Sequence, residues 1–564
     1  MAITPLRRSG ARILVDQLDA QGVGHVFCVP GESFLAVLDA LHDSAIALTV
    51  CRQEGGAAMM AEAQGKLSGR PGICFVTRGP GATNAAAGVH IAQQDSTPLI
   101  LFVGQVARGM REREAFQELD YRAVFGSMAK WVVEIDDPGR IPELVSRAFL
   151  TAMSGRPGPV VVALPQDMLT EEVSVADALP CSVPQSYPGD TDMSTLQELL
   201  AQAIRPLMVL GGSRWSAGAV ANVRAFAERF TLPVACSFRR QMLFDHEHAC
   251  YAGDIGIGIN PKLAERIRQA DLLLLIGARF SEMPSQGYAL LGIPTPVQTL
   301  VHAHADAGEL GKLYRPELAI QATPDAFTTA LARIPASTVF PWMNWTQAAR
   351  RDYLEWSDPV PIRIPGQLQM GEVMQTLAAT LPADTILCNG AGNFATWVHR
   401  FWRFRNYGTQ LAPTSGSMGY GVPAAIGAKR LFPDRTVVAF AGDGDFMMHG
   451  QELATAVQYG LTIIVILVDN GMFGTIRMHQ EREYPGRVIG SALRNPDFAA
   501  LALAYGAYGE RVETTAEFAP AFRRALDSGR PAVLHCLLDP EAITPTTTLS
   551  GLRAASLRRA QIQS

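Results

Sequence analysis

The feature that most constrains this chain is a rhythm. Short apolar, β-branched runs are each followed by a glycine-rich turn and then by an amphipathic stretch of 12 to 16 residues. Such alternation is the signature of parallel α/β sheets whose strands are covered on both faces. It predicts strands near 25–29, 47–51, 73–77 and 98–103, with helices near 33–42, 54–68 and 83–94 between them. A polar, proline-containing stretch at 171–194 interrupts the pattern and reads as a linker. The rhythm restarts with strands at 206–210, 233–237 and 271–276 and a helix at 216–230, and it breaks again where Pro335, Pro341, Pro359, Pro361 and Pro365 cluster. The expected fold is therefore three doubly wound α/β domains with mainly parallel sheets, over 1–175, 190–335 and 366–540. A tail at 541–564 has few core-forming positions and reads as a lid, a subunit contact or a frayed end.

Composition narrows the functional classes. At 564 residues, 48 % hydrophobic and 18 % charged, the chain has ample length for several cores and is too apolar to be disordered. A net charge of −5, with no basic block and no acidic tail, leaves no electrostatic footprint for nucleic acid or a membrane surface. The N-terminal stretch lacks the apolar core of a signal peptide, and no apolar run approaches the roughly 18 residues of a membrane span. The eight cysteines are scattered, with no Cys-x-x-Cys pair, which fits reduced, buried thiols in a cytoplasmic protein.

Residues 439–475 carry the strongest local signal. They read as a strand ending in Gly442-Asp443-Gly444, a helix over about 448–459, and a second strand ending at Asp469-Asn470. A right-handed crossover returns the second strand parallel to the first, so Asp443 and Asn470 reach the same sheet edge. That is where open α/β sheets bind ligands, and a helix N-terminus there suits a phosphate. One carboxylate, one amide oxygen and a backbone carbonyl, that of Met472, make a hard oxygen set suited to Mg²⁺, which takes about six oxygens near 2.1 Å.

This arrangement looks like the thiamine diphosphate motif. Further stretches, at 29–41, 51–72, 77–88, 95–106, 115–118 and 415–428, resemble the acetolactate synthase catalytic-subunit family, in the expected order over nearly the whole chain. The resemblance implies thiamine diphosphate and Mg²⁺ as cofactors, with Asp443, Asn470 and Met472 as metal ligands and Gly442, Gly444, Asp445 and Phe473 beside the diphosphate. It places Glu54 at N1′ of the aminopyrimidine, where it promotes removal of the C2 proton. A carboxyl group in an apolar pocket holds its proton more tightly and can share it with a ring nitrogen. Met418 matches the bulky residue that bends the cofactor, and Gly416 the carbonyl that accepts from its amino group. Gly392, Asn393 and Phe394 occupy the diphosphate-contacting turn. Phe116, Gln117 and Lys130 are aligned near the substrate, and Gly31 lies in the turn that approaches the reacting carbon.

The implied reaction is decarboxylation of a 2-oxo acid such as pyruvate and transfer of the acyl unit to a second carbonyl compound. The implied assembly is a homodimer or homotetramer with active sites at the subunit interface. A 2-oxo acid decarboxylase or a hydroxyketone lyase is the alternative. A non-catalytic nucleotide-binding protein would lack one of Glu54, Asp443 or Asn470, and all three are present.

Departures from the family bear on substrate choice. Glu32 stands where a second glycine is usual, Thr475 where methionine is usual, and His479 where an acceptor-selecting tryptophan is usual. Asn393-Phe394 replaces Gln-His. In the middle domain, residues 253–262, 277–286 and 301–309 lack the flavin-contacting patterns, so FAD is not expected.

Overall fold

The computed structural model describes residues 7–335 and 340–563. Its strands form where the apolar runs predict them, because each such run is buried on both faces: all seven residues of Leu99–Gln105, of Pro159–Pro165 and of Ile463–Asp469 are shielded from water.

Two compact units can be distinguished. The first takes in the chain up to Pro184 together with Pro413–Pro433 and His449–Leu461. Its sheet has six parallel strands, His25–Cys28 (β1), Ala47–Val50 (β2), Gly72–Val76 (β3), Leu99–Gln105 (β4), Trp131–Glu134 (β5) and Pro159–Pro165 (β6), in the order β2-β1-β3-β4-β6-β5. Of these, β5 and β6 are additions to the predicted set. A run opened and closed by proline reads as loop when tertiary pairing is invisible.

Helix α1 (Glu54–Ser68) is packed by α2 (Pro80–Asp95) and α3 (Gly421–Leu431). Its small residues let the backbones close in. A Cβ on Gly88 would lie 2.4 Å from that of Ala58, and one on Gly427 would lie 2.6 Å from the Met60 carbonyl oxygen. Buried charges brace this cluster: Lys66 pairs with Glu62 at 3.1 Å and with Asp95. The Tyr420 hydroxyl donates to Glu62 Oε2 at 2.6 Å, and Thr414 donates to Asp95 Oδ1 from its N–H at 2.7 Å.

The second unit takes in Gln185–Ala412, Asp434–Met448 and Thr462 onward, and holds two sheets. One comprises Pro206–Leu210 (β7), Val234–Ser237 (β8), Tyr251–Ile255 (β9), Leu272–Ile276 (β10), Thr299–His304 (β11) and Leu318–Gln321 (β12), ordered β9-β8-β7-β10-β11-β12. The other comprises Ile386–Asn389 (β13), Gln410–Leu411 (β14), Val437–Gly442 (β15), Ile463–Asp469 (β16), Tyr508–Val512 (β17) and Ala532–Leu537 (β18), ordered β14-β13-β15-β16-β18-β17. All pairs in both are parallel. The first and last sheets thus share one connectivity, and each has its topological switch point between its first and third strands.

Two helical segments also differ from expectation. The helix predicted over 448–459 begins earlier, as α4 (Asp443–His449), then tightens into a 3-10 turn and resumes at Leu453–Gln458. Asp443 and Asp445 in its first turn suit the positive end of the helix dipole. The tail forms a helix that packs on α5 (Gly474–Glu483), namely α6 (Leu549–Gln563). Arg553 donates to both oxygens of the buried Glu481, at 2.8 and 2.5 Å. Leu549 packs with Met472 and Ile543. No helix among the described residues is long and apolar enough to cross a membrane.

Candidate active site

At the C-terminal edge of the last sheet, Gly442 lies in register beside Val468, so the residues that follow each strand emerge together. Asp443 is buried, and its Oδ2 accepts from the Met472 N–H at 3.1 Å and from Asn495 Nδ2 at 2.7 Å. The same Asn495 nitrogen donates to Asp469 Oδ1 at 2.7 Å. Asp469 also receives the Gly471 N–H at 2.9 Å and contacts His535 Nε2 at 2.8 Å.

Burial, with the charge of Asp469 adding to it, pushes the Asp443 carboxyl up to about 6. Burial also acts on Asp469, but hydrogen bonds from His535, Gly471 and Asn495 outweigh it and hold that carboxyl below the usual range. Asp469 is therefore committed to the scaffold, whereas Asp443 is a buried carboxylate that a cation would favour. The residues present fit Mg²⁺. Met472 bridges Ala492 as an isolated antiparallel pair, and in such a residue N–H and C=O share one edge. Its N–H meets Asp443, so its carbonyl faces the same side. The Asn470 amide lies beside Gly474, where a Cβ would come within 3.1 Å of Nδ2.

Aromatic rings replace side chains along this edge. A Cβ on Gly442 would meet Phe394 at 2.8 Å, one on Gly392 would meet the same ring at 2.6 Å, and one on Gly444 would meet Phe473 at 2.5 Å. Asp445 is buried and accepts the Ala391 N–H at 3.1 Å, which ties the 390–394 turn to the start of α4. Two of the residues that depart from the family meet here: Thr475 donates its hydroxyl to Asn393 Oδ1 at 2.9 Å. His479 is exposed on α5.

In the first unit, Glu54 opens α1 and is half-buried. Its Oε2 accepts from Asn84 Nδ2 at 3.0 Å. The turn before it is pinned from below: the Arg52 and Gln53 N–H groups donate to Glu452 Oε1 at 3.0 and 2.9 Å, and the Thr455 hydroxyl donates to Oε2 at 2.6 Å. Glu452 is fully buried, and burial pushes its carboxyl up. Gln53 caps α1 by accepting the Gly56 N–H, and its amide oxygen also contacts His449 Nε2 at 3.1 Å. Gly416 is exposed with φ +69°, a conformation glycine adopts at no steric cost, and Met418 is half-buried nearby in sequence.

Gly31, Glu32, Phe116 and Gln117 gather around Arg78. Its Nη2 donates to Glu32 Oε1 at 2.5 Å and its Nε to the Phe116 carbonyl at 3.1 Å. Gln117, at φ +64°, leaves its backbone so near Gly79 that a Cβ there would lie 2.7 Å from its carbonyl oxygen. Lys130 is not part of this group. It precedes β5, at the opposite edge of the sheet from the strand ends that carry Glu32, Glu54 and Arg78, and its ammonium donates to the Ser154 carbonyl at 2.7 Å. Sequence reasoning missed Arg78, Glu452 and Asn495. Arg78 lay inside a recognised motif, while Glu452 and Asn495 earn their roles through partners distant in sequence.

Comparison with known proteins gives the family. Models of the thiamine pyrophosphate enzyme N-terminal TPP binding domain, central domain and C-terminal TPP binding domain match residues 8–124, 193–331 and 390–536. The acetolactate synthase large subunit of Corynebacterium glutamicum is 31 % identical, over 95 % of this chain and 88 % of its own length. That of Parasynechococcus marenigrum is 33 % identical, over 94 % and 88 %. The isozyme 2 large subunit of Escherichia coli is 31 % identical, over 94 % and 96 %.

Proposed function

The chain belongs to the thiamine pyrophosphate enzymes, and we propose that it is an acetolactate synthase-like carboligase, which decarboxylates a 2-oxo acid and joins the acyl unit to a second carbonyl compound. The observation that carries this reading is the Asp443 cluster at the C-terminal edge of the last sheet, where this buried carboxylate accepts from the Met472 N–H and from Asn495. Thiamine diphosphate, when bound, supplies the electron sink for decarboxylation.

The chain's own residues supply the rest. Asp443, Asn470 and the Met472 carbonyl would hold Mg²⁺, and the start of α4 would lie beside the diphosphate. The glycines at 392, 442 and 444 face the Phe394 and Phe473 rings and that at 390 faces the Asp445 carboxylate, so no side chain fits at these positions. Glu54 would hold a proton at the pyrimidine nitrogen, kept in position by Asn84 and by the turn that Glu452 pins. Gly416 and Met418 would orient the same ring system.

Active sites shared between two copies of the chain are part of the proposal. Met447, Met448 and Ile476 beside the Asp443 cluster, and Leu35, Met110 and Phe116 in the first unit, are large apolar side chains left exposed. We also infer a cytoplasmic enzyme without FAD. All eight cysteines are free thiols, and the middle sheet lacks the family's flavin-contacting residues.

Glu54→Gln tests the assignment. Carbon dioxide release from 2-oxo acids should fall by roughly 100-fold or more while calorimetry still detects cofactor binding. Unchanged turnover would remove Glu54 from the mechanism.

A further inference from the structure

The first sheet carries its own switch point, between β1 and β3, and two charged residues meet there. Glu32 follows β1 and Arg78 follows β3. The two ends of this ion pair are unequally buried. The Arg78 side chain is 8 % exposed, with donors directed at Glu32, at the Phe116 carbonyl and at Gln166 Oε1. The Glu32 side chain is 73 % exposed, and its Oε2 has no hydrogen-bond partner among the described residues. The pair is neutral as a whole but oriented, cation inward and anion outward, so a ligand meets the carboxylate rather than the guanidinium.

The turn that carries Glu32 lies near Glu54. A Cβ on Gly31 would come within 2.5 Å of Thr77 Cβ, and one on Gly81 would lie 2.8 Å from Thr77 Cγ2 and 3.3 Å from Glu54 Oε1. Thr77 and Gly81 therefore lie between the Gly31-Glu32 turn and the Glu54 carboxylate. Ser33 holds that threonine with a hydroxyl contact of 2.9 Å. The exposed Phe116 ring lies 6.0 Å from the Arg78 guanidinium, so the same spot offers one apolar face and one hydrogen-bond acceptor.

We propose that Glu32, anchored by Arg78, selects the acceptor, favouring an uncharged hydroxyl-bearing carbonyl compound over one that carries a carboxylate. A hydroxyl donates to the open oxygen of Glu32, whereas a second carboxylate placed beside it is repelled. The inference rests on the carboligase reading and specifies its substrate class. In the reaction, the donor's bond to its carboxylate breaks and CO₂ leaves. The electron pair forms the new bond to the acceptor's carbonyl carbon, whose oxygen takes up a proton.

The test is a competition in one tube. Holoenzyme with thiamine diphosphate and Mg²⁺ is given the 2-oxo acid that it decarboxylates fastest from a panel, with equal glycolaldehyde and glyoxylate, two-carbon aldehydes that differ in their hydroxymethyl and carboxylate ends. The products are resolved by mass. The wild type should favour the glycolaldehyde product by roughly tenfold or more, and Glu32→Gln should bring the ratio close to one. A ratio is independent of total turnover, so slower catalysis in the variant does not obscure it. A wild-type preference for glyoxylate, or a ratio that Glu32→Gln leaves unmoved while CO₂ is released, overturns this inference alone. A panel from which no CO₂ is released overturns the carboligase reading, and this inference with it.

Discussion

Asn495 and Glu452 show how much of the site is held by residues with no chemical motif. Each satisfies groups that would otherwise be stranded away from water: Asn495 bridges two carboxylates with one nitrogen, and Glu452 collects two backbone N–H groups and a hydroxyl. Removing such a partner costs the desolvation of everything it served. Glu452→Ala should lower stability by about 2–4 kcal/mol, seen as a fall of several degrees in the thermal midpoint, and should cut turnover by roughly tenfold because the Glu54 turn loses its support. Glu452→Gln, which keeps one acceptor oxygen, should recover most of both. Asp443 and Glu54 were legible in the sequence because their neighbours in the chain are distinctive. Arg78 and Glu452 were not, because a buried guanidinium's partners or a pinned turn depend on where another segment arrives. Lys130, aligned near the substrate by resemblance, instead precedes β5 and donates to the Ser154 carbonyl, since an alignment does not say which edge of a sheet a residue occupies.

At the scale of elements, most strands and the helix at 54–68 were readable from periodicity alone, where both faces of a strand are covered and the apolar run is unbroken. The proline-bounded strand Pro159–Pro165 and the helix beginning at Asp443 were not, since proline and a Gly-Asp-Gly triplet both signal turns locally. The terminal helix α6 escaped notice because the Arg553–Glu481 pair and a small apolar cluster at Leu549, rather than a continuous apolar face, hold it. The Arg553 hydrogen bonds hold the Glu481 carboxyl down at about 2, against an ordinary value of 4.5. A carboxylate lowered in this way adds stability above its ordinary value, and that stability is lost as the pH falls towards 2. Docking of α6 should thus be indifferent to pH from neutrality to about 5 and weaken only below. Arg553→Ala should release the helix, weakening its docking by about 1–2 kcal/mol. Faster hydrogen exchange confined to 549–563, with the sheets still protected, would register the loss.

For the whole molecule, the sheets beginning at His25 and at Ile386 share one strand order and each presents a switch point, one beside Glu54 and the other beside Asp443. If one copy supplies the first and its partner the second, defects in the two halves should complement. Glu54→Gln and Asp443→Asn proteins, each inactive, should on mixing and reassociation recover about a quarter of wild-type activity, because half of the random dimers are mixed and each mixed dimer holds one intact site. Mixtures that stay inactive after subunit exchange has been verified by mass would place both residues in a single chain's site.

The first compact unit is stitched from three separate stretches, and its last strands of chain run to Leu461. A ribosome must therefore deliver most of the polypeptide before α1 can be covered by Gly421–Leu431, and no contiguous gene fragment encodes this unit alone. The six N-terminal strands are all made by Pro165, but the last cover of α1 emerges only while the third sheet is being made, so the order of translation itself delays completion of the first unit.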